Sequence, residues 1–163
     1  MFPEIYWVNE LPTVRLALMP RPRGNDSLSD EIAGLRREGV GLVVSLLESH
    51  EATDLGLRDE ATLCSAEDIG FLSFPIPDRG VPSSLMETRR LVDGLVAQLM
   101  SGIGVAIHCR AGIGRSALVA GCVLLRLGVA PTKVFAMLGR ARRLPVPDTA
   151  AQEEWLKRFS REG

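Results

Sequence analysis

The run His108-Cys109-Arg110-Ala111-Gly112-Ile113-Gly114-Arg115-Ser116 sets a thiol, two guanidinium groups and two glycines side by side. It follows a short apolar run, Val105-Ala106-Ile107, and opens onto a second from Leu118 to Leu127. That pattern predicts a buried strand, a tight loop and a helix starting near Arg115. The glycines let the backbone curl so that successive N–H groups from Arg110 to Gly114 point at one spot, which makes an anion-binding nest. The helix N-terminus brings its own free N–H groups and a partial positive charge to the same place. A cysteine at the mouth of such a cradle is expected to act as its thiolate. Arg115 can fold its planar guanidinium over the cradle and hold two oxyanion oxygens at once. The Ser116 hydroxyl can hydrogen-bond the sulfur. A thiolate nucleophile inside a phosphate-shaped nest is equipped to cleave phosphate esters.

The spacing His-Cys, five residues, Arg-Ser resembles the signature loop of the cysteine-dependent protein tyrosine and dual-specificity phosphatases, and Ala111, Gly112, Ile113, Gly114 and Ser116 fit its usual form. Ala117 departs from it, since many members carry glycine there; alanine is the better helix former in a first turn. The resemblance runs from the connector at Pro20 to Trp155 and is strongest to the small branch holding the cyclin-dependent kinase-associated phosphatases and compact prokaryotic tyrosine phosphatases. It implies the phosphatase fold and a general acid at Asp78, in the loop Pro75-Ile76-Pro77-Asp78-Arg79-Gly80-Val81-Pro82. It also implies that His108 holds the loop through hydrogen bonds, and that Gln152 resembles a glutamine that positions a water in some members. The order of parts excludes the low-molecular-weight branch, whose cysteine loop is amino-terminal.

The elements that must position these residues alternate in type. Ile5–Val8 and Val14–Leu18 read as two short strands at a sheet edge. Pro20–Asn25 is a basic, turn-rich connector, read as a solvated loop, with Arg21 or Arg23 as a candidate to line the approach to the phosphate site. Ser27 to Glu38 reads as a helix capped by Ser27, with Leu28, Ile32 and Leu35 as its stripe and Gly39 as its stop. Gly41–Leu47 is apolar throughout, as a central parallel strand is. Glu48 and Glu51 follow at its carboxyl end, where open α/β sheets bind ligands. Solvated loop glutamates are the preferred reading there, with one of them a candidate to hold Arg115 or meet a substrate. Asp59 to Ile69 has helical spacing and ends at Gly70; its Cys64 reads as a core residue, with a disulfide to Cys109 as a secondary hypothesis. Phe71–Phe74 is a strand leading into the Asp78 loop. A helix capped by Ser83 or Ser84 runs to about Met100. Cys122 lies in the buried helix after the signature loop. Thr132 to about Ala141 forms a helix ending in the basic run Arg140, Arg142, Arg143. Asp148 or Thr149 caps a last one with Trp155, Leu156 and Phe159 buried. Strands alternating with helices predict an α/β single domain over residues 1–163, its mostly parallel sheet of four to five strands covered by helices on both faces.

Composition narrows the classes. The 163 residues, 46% hydrophobic and 24% charged, suit one soluble globular domain, and the net charge of -1 gives no pull towards nucleic acid or an anionic membrane. Three irregularly spaced cysteines do not suggest a disulfide framework, and a working thiolate needs a reducing compartment, so the protein reads as cytoplasmic. The start lacks a basic stretch followed by an apolar one, so no signal peptide is expected. No cofactor or metal is implied: His50 and His108 are the only histidines and lack metal-site spacing. The expected partner is a phosphorylated protein, with phosphate or another oxyanion in the site, no membrane, and the chain a monomer. Phosphotyrosine is the favoured substrate, with phosphoserine and phosphothreonine open. A phosphoinositide or RNA 5′-phosphatase and a non-catalytic phosphate-binding module are the rival readings. A rhodanese-like transferase has no use for Asp78.

Overall fold

A computed structural model describes residues 3–163; Met1 and Phe2, part of the start read as lacking a leader and of the domain drawn from residue 1, lie outside it. Five strands form one sheet: β1 (Tyr6–Trp7), β2 (Leu16–Met19), β3 (Val40–Ser45), β4 (Gly70–Ser73) and β5 (Gly104–His108). Their order is β1-β2-β5-β3-β4, with β1 antiparallel at one edge and every other pairing parallel. The helices are α1 (Leu28–Arg37), α2 (Ser49–Asp54), α3 (Glu60–Ala66), α4 (Leu85–Met100), α5 (Arg115–Arg126), α6 (Val134–Arg142) and α7 (Ala150–Glu162).

Alternation along the central strands splits the core into two layers. Leu16, Leu18, Val44, Val105 and Ile107 face the layer built by α4, α5, α6 and α7. Ala17, Met19, Val43 and Ala106 face the opposite layer, built by Leu28, Ile32 and Leu35 of α1 and Cys64 of α3. Because β5 is flanked by strands on both sides and covered on both faces, all five of its residues are buried. The loop that leaves its carboxyl end therefore starts from a fixed point.

The structure corrects four local expectations. Ser27 does not cap α1; it sits in helical geometry at the end of a 3₁₀ turn, Asn25–Ser27, with no side-chain bond. Gly70 does not merely end a helix but opens β4. A short helix, α2, occupies the stretch read as a loop around Glu51. Glu51 is itself buried and not solvated. The other caps are as expected: Ser84 Oγ accepts from the Glu87 N–H, and Thr149 Oγ1 from the Gln152 N–H.

Candidate active site

The signature loop is shaped from behind by groups that hold its carbonyls. The Arg21 N–H donates to the Arg110 carbonyl at 3.0 Å. Arg142, nearly buried, donates from Nη2 to the Ala111 carbonyl at 3.0 Å and from Nε to the Gly112 carbonyl at 3.2 Å. A trans peptide points its N–H opposite its carbonyl. Tying those three carbonyls outward therefore turns the N–H groups of Ala111, Gly112 and Ile113 towards the other side, where the pocket lies. Gly112 adopts φ +73, and a Cβ there would come within 2.7 Å of the Met19 backbone at the end of β2. Only glycine lets the loop turn and close on the sheet at that point. The sequence marks Arg142 only by its place in a basic run; its stacking on the Tyr6 ring, 4.3 Å away, is equally invisible there.

Cys109 lies at the base of a pocket of about 120 Å³ that it shares with Asp78, Arg79, Arg110, Ala111, Ile113, Gly114, Arg115, Asp148 and Gln152. The Sγ is 3.3 Å from Ser116 Oγ, so the hydroxyl can donate to a thiolate. Arg115 is fixed from three directions. Its Nη1 donates to Glu51 Oε1 at 2.7 Å and to the Ile76 carbonyl at 2.9 Å. Its Nη2 donates to Glu51 Oε2 at 3.0 Å and to Asp78 Oδ1 at 3.1 Å. Burial works against the Arg115 cation, but the Glu51 hydrogen bonds and the charges of Cys109, Glu51 and Asp78 outweigh it and raise its pKa. Burial likewise pushes Glu51 up, and the bonds from Arg115 and the Glu48 backbone N–H more than reverse this, holding its carboxyl below the usual range. Glu51 is thus the residue that holds Arg115. Glu48 donates its backbone N–H to Glu51 Oε1 at 3.0 Å.

His108, next to Cys109, is fully buried. Its Nδ1 lies 3.1 Å from the Cys109 carbonyl and its Nε2 2.7 Å from Glu60 Oε2 on α3. The first contact fixes the start of the loop; the second ties it to α3. Nothing in the local sequence marks Glu60, since the contact spans 48 residues and α3 reads as an ordinary amphipathic helix.

The Asp78 loop is held over the pocket from the side of α7. Gln152 Nε2 donates to the Gly80 carbonyl at 3.1 Å, and Arg79 pairs with Asp148 at 3.1 Å. The Gln152 Oε1 accepts the backbone N–H groups of Asp148 and Thr149, at 3.0 and 3.2 Å. Gln152 is accordingly at the pocket with its amide oxygen already occupied. Asp78 keeps its side chain 59% exposed, open to an incoming group. Arg110, half-exposed at the rim, comes within 3.6 Å of Glu51.

Other candidates lie elsewhere. Arg23 pairs with Glu31, and Arg21 and Arg23 line a separate hollow with Glu4 and Met19. Cys64 belongs to the layer on the opposite face of the sheet from Cys109, and all three cysteines are free. Among the described residues, no group of three His, Cys, Asp or Glu could hold a metal ion, and no helix is long and apolar enough to cross a membrane.

A family described as a polymorphic toxin system DSP-PTPase phosphatase matches residues 17–129, a stretch that includes the whole signature loop and Asp78. Cyclin-dependent kinase inhibitor 3 of Rattus norvegicus is 33% identical over 87 residues, which cover 52% of this chain and 41% of that protein. The chain spans about two fifths of the length of the curated relatives it matches. The crystal structure of a kinase-associated phosphatase with its catalytic-site cysteine changed to serine superimposes with a TM-score of 0.89, covering 99% of this chain and 96% of that one at 22% identity. Tk-PTP in its active form superimposes with a TM-score of 0.80 over the full length of both chains, also at 22% identity.

Proposed function

This chain belongs to the DSP-PTPase phosphatase family, and from that premise we propose that it hydrolyses phosphate monoesters on proteins, phosphotyrosine first, through a phosphocysteine formed on Cys109. The observation that carries this is the convergence, in one pocket, of Cys109 with the Arg115 guanidinium and the exposed Asp78 carboxylate, Arg115 and Asp78 being 3.1 Å apart. The Cys109 thiolate attacks phosphorus in line, splitting one hard displacement into two easier ones. Charge spreads over the three equatorial oxygens, where the loop N–H groups and Arg115 are already aimed. Phosphate oxygens compete with Asp78 for Arg115, freeing the Asp78 carboxyl, once protonated, to donate to the leaving oxygen. The leaving phenolate has a pKa of about 10, so the donated proton removes much of the cost of its departure. Ser116 hydrogen-bonds the sulfur and eases its release in the second step. His108 and Gln152 support the loops and take no proton.

The pocket, about 120 Å³, is of a size for a phosphate monoester; phosphotyrosine is the favoured substrate, with phosphoserine and phosphothreonine within reach. On this reading residues 1–163 form one phosphatase domain, acting as a monomer in a reducing, cytoplasmic setting on phosphoproteins and not on nucleic acid. The test is turnover of phosphotyrosine, phosphoserine and phosphothreonine peptides and a soluble phosphoinositide, in EDTA and reductant. Phosphotyrosine turnover above the others supports the assignment. A preference for the phosphoinositide moves the substrate class, and binding without turnover replaces the enzyme with a phosphate-binding module.

A further inference from the structure

We propose that Asp148 is a second working carboxylate of this pocket, accepting a hydrogen bond from the water that hydrolyses the phosphocysteine. This rests on the reading of Cys109 as the nucleophile. In that step a water oxygen forms a bond to phosphorus while the P–S bond breaks, and the electron pair of that bond returns to Cys109 as thiolate. One water proton passes to the Asp78 carboxylate, left ionised by the first step, and inorganic phosphate departs. A water whose lone pair faces phosphorus directs both of its O–H bonds elsewhere, and each needs an acceptor. Asp78 is one.

Counting side-chain acceptors in the pocket lining identifies the other. Besides Asp78, only Asp148 and Gln152 carry oxygen there. The Gln152 Oε1 already accepts two backbone N–H groups, so both of its lone pairs are in use. Asp148 has oxygen to spare: one of its oxygens meets Arg79 at 3.1 Å, and its side chain is 38% exposed. Its position is fixed as well. Its backbone N–H is tied to Gln152, and a Cβ placed on Gly114 would lie 2.9 Å from the Asp148 Cβ, so residue 148 sits directly against the phosphate loop. Arg79, whose φ of +58 is a left-handed conformation costly for a non-glycine residue, turns its side chain to that carboxylate. Asp148 itself neither gains nor loses a proton. It aims the water.

Stopped-flow release of p-nitrophenol from p-nitrophenyl phosphate separates the two half-reactions, because that leaving group departs readily and kcat/KM reports only the steps up to phosphocysteine formation. Asp148→Ala is expected to lower kcat about 10- to 100-fold, the range of one lost charge-assisted hydrogen bond. KM falls with it, kcat/KM is retained, and a burst of about one p-nitrophenol per enzyme appears. Asp148→Asn, which keeps an acceptor oxygen, should restore most of kcat. The proposal is overturned if Asp148→Ala shows no burst, or if kcat/KM drops together with kcat. It also falls if Arg79→Ala reproduces the burst, since the carboxylate would then act only by latching the Asp78 loop. If the wild-type protein releases no p-nitrophenol while folded, the phosphatase reading itself fails and takes this one with it.

Discussion

Cys109 and Cys64 are almost equally buried, at 3% and 0% exposure, in opposite layers of one sheet. Burial disfavours a thiolate at Cys64. The two differ in what surrounds the sulfur. At Cys64, burial pushes the thiol up to about 12, and the nearby Glu60 carboxylate pushes the same way. Cys122, inside α5, is likewise pushed up by burial. At Cys109 the neighbours are a hydroxyl at 3.3 Å, the guanidinium of Arg115 and the first turn of α5. On the proposed reading, what sets Cys109 apart is the set of donors and positive charge around its buried sulfur, not its exposure. The carboxylate that opposes ionisation of Cys64 is the one that braces His108, one residue from Cys109. Glu60, on α3, thus lies beside both Cys64 and His108.

The sharpest way to break this contrast is to remove each sulfur in turn. Cys109→Ser should lower p-nitrophenyl phosphate turnover by at least ~10⁴-fold, as loss of a covalent nucleophile does. Cys64→Ser should retain wild-type kcat/KM and instead cost about 1–3 kcal/mol in urea unfolding, because it buries a hydroxyl among apolar side chains. Equal losses of turnover in the two variants would show that the chemistry does not distinguish the two layers. Next in size is Asp78→Asn, expected to reduce turnover of phosphotyrosine peptide by about 10²–10⁴-fold, the usual contribution of a positioned general acid. The deficit should shrink for substrates whose leaving group needs no proton. A deficit that is the same for every leaving group would mean that Asp78 matters only as a partner of Arg115.

Most of the fold could be read from the sequence, since short apolar runs of strand length alternating with stop-and-start helix signals predict a covered parallel sheet. The signature loop was legible as well, because its chemistry is packed into consecutive residues. What brings Glu51, Glu60 and Arg142 to that loop was less so: Glu51, with Glu48, is a candidate to hold Arg115 only by its place at the carboxyl end of a strand, and the other two have no such signal. Their contacts to Arg115, His108 and Gly112 cross 64, 48 and 30 residues, and only the folded sheet closes those distances. For Glu51 there was a local clue. Glu48 is the N-cap of α2, and the Glu51 carboxylate three residues on accepts the Glu48 N–H, as in a capping box, but without the usual Ser, Thr, Asp or Asn at its start. Without that starting residue the stretch looks like a loop with two solvated acids. The reading of Ser27 as a cap failed for the complementary reason: the right residue type was present, but the chain enters α1 through a 3₁₀ turn.

Glu51 also provides the smallest and most discriminating test of how the active layer is held. Its carboxyl is kept below the ordinary range by Arg115 and the Glu48 N–H, against the opposing effect of burial. A group whose folded pKa is depressed contributes stability that is fully present above its unfolded value, about 4.3 for glutamate. That contribution is lost as pH falls through the lower folded value. Glu51→Gln, which keeps an acceptor oxygen and removes the charge, should therefore be less stable than wild type at pH 7, by about 1.5–3 kcal/mol for a charged hydrogen bond. The gap should close as pH is lowered below about 4, because wild-type Glu51 is then itself becoming neutral. Urea unfolding of both proteins across that range reads the difference directly, and a gap that stayed constant with pH would mean that Glu51 stabilises the layer by its shape and not by its charge. Cys64→Ser, which alters no group that titrates in that range, should show a pH-independent deficit over the same interval, so the two variants separate an electrostatically held layer from one held by packing.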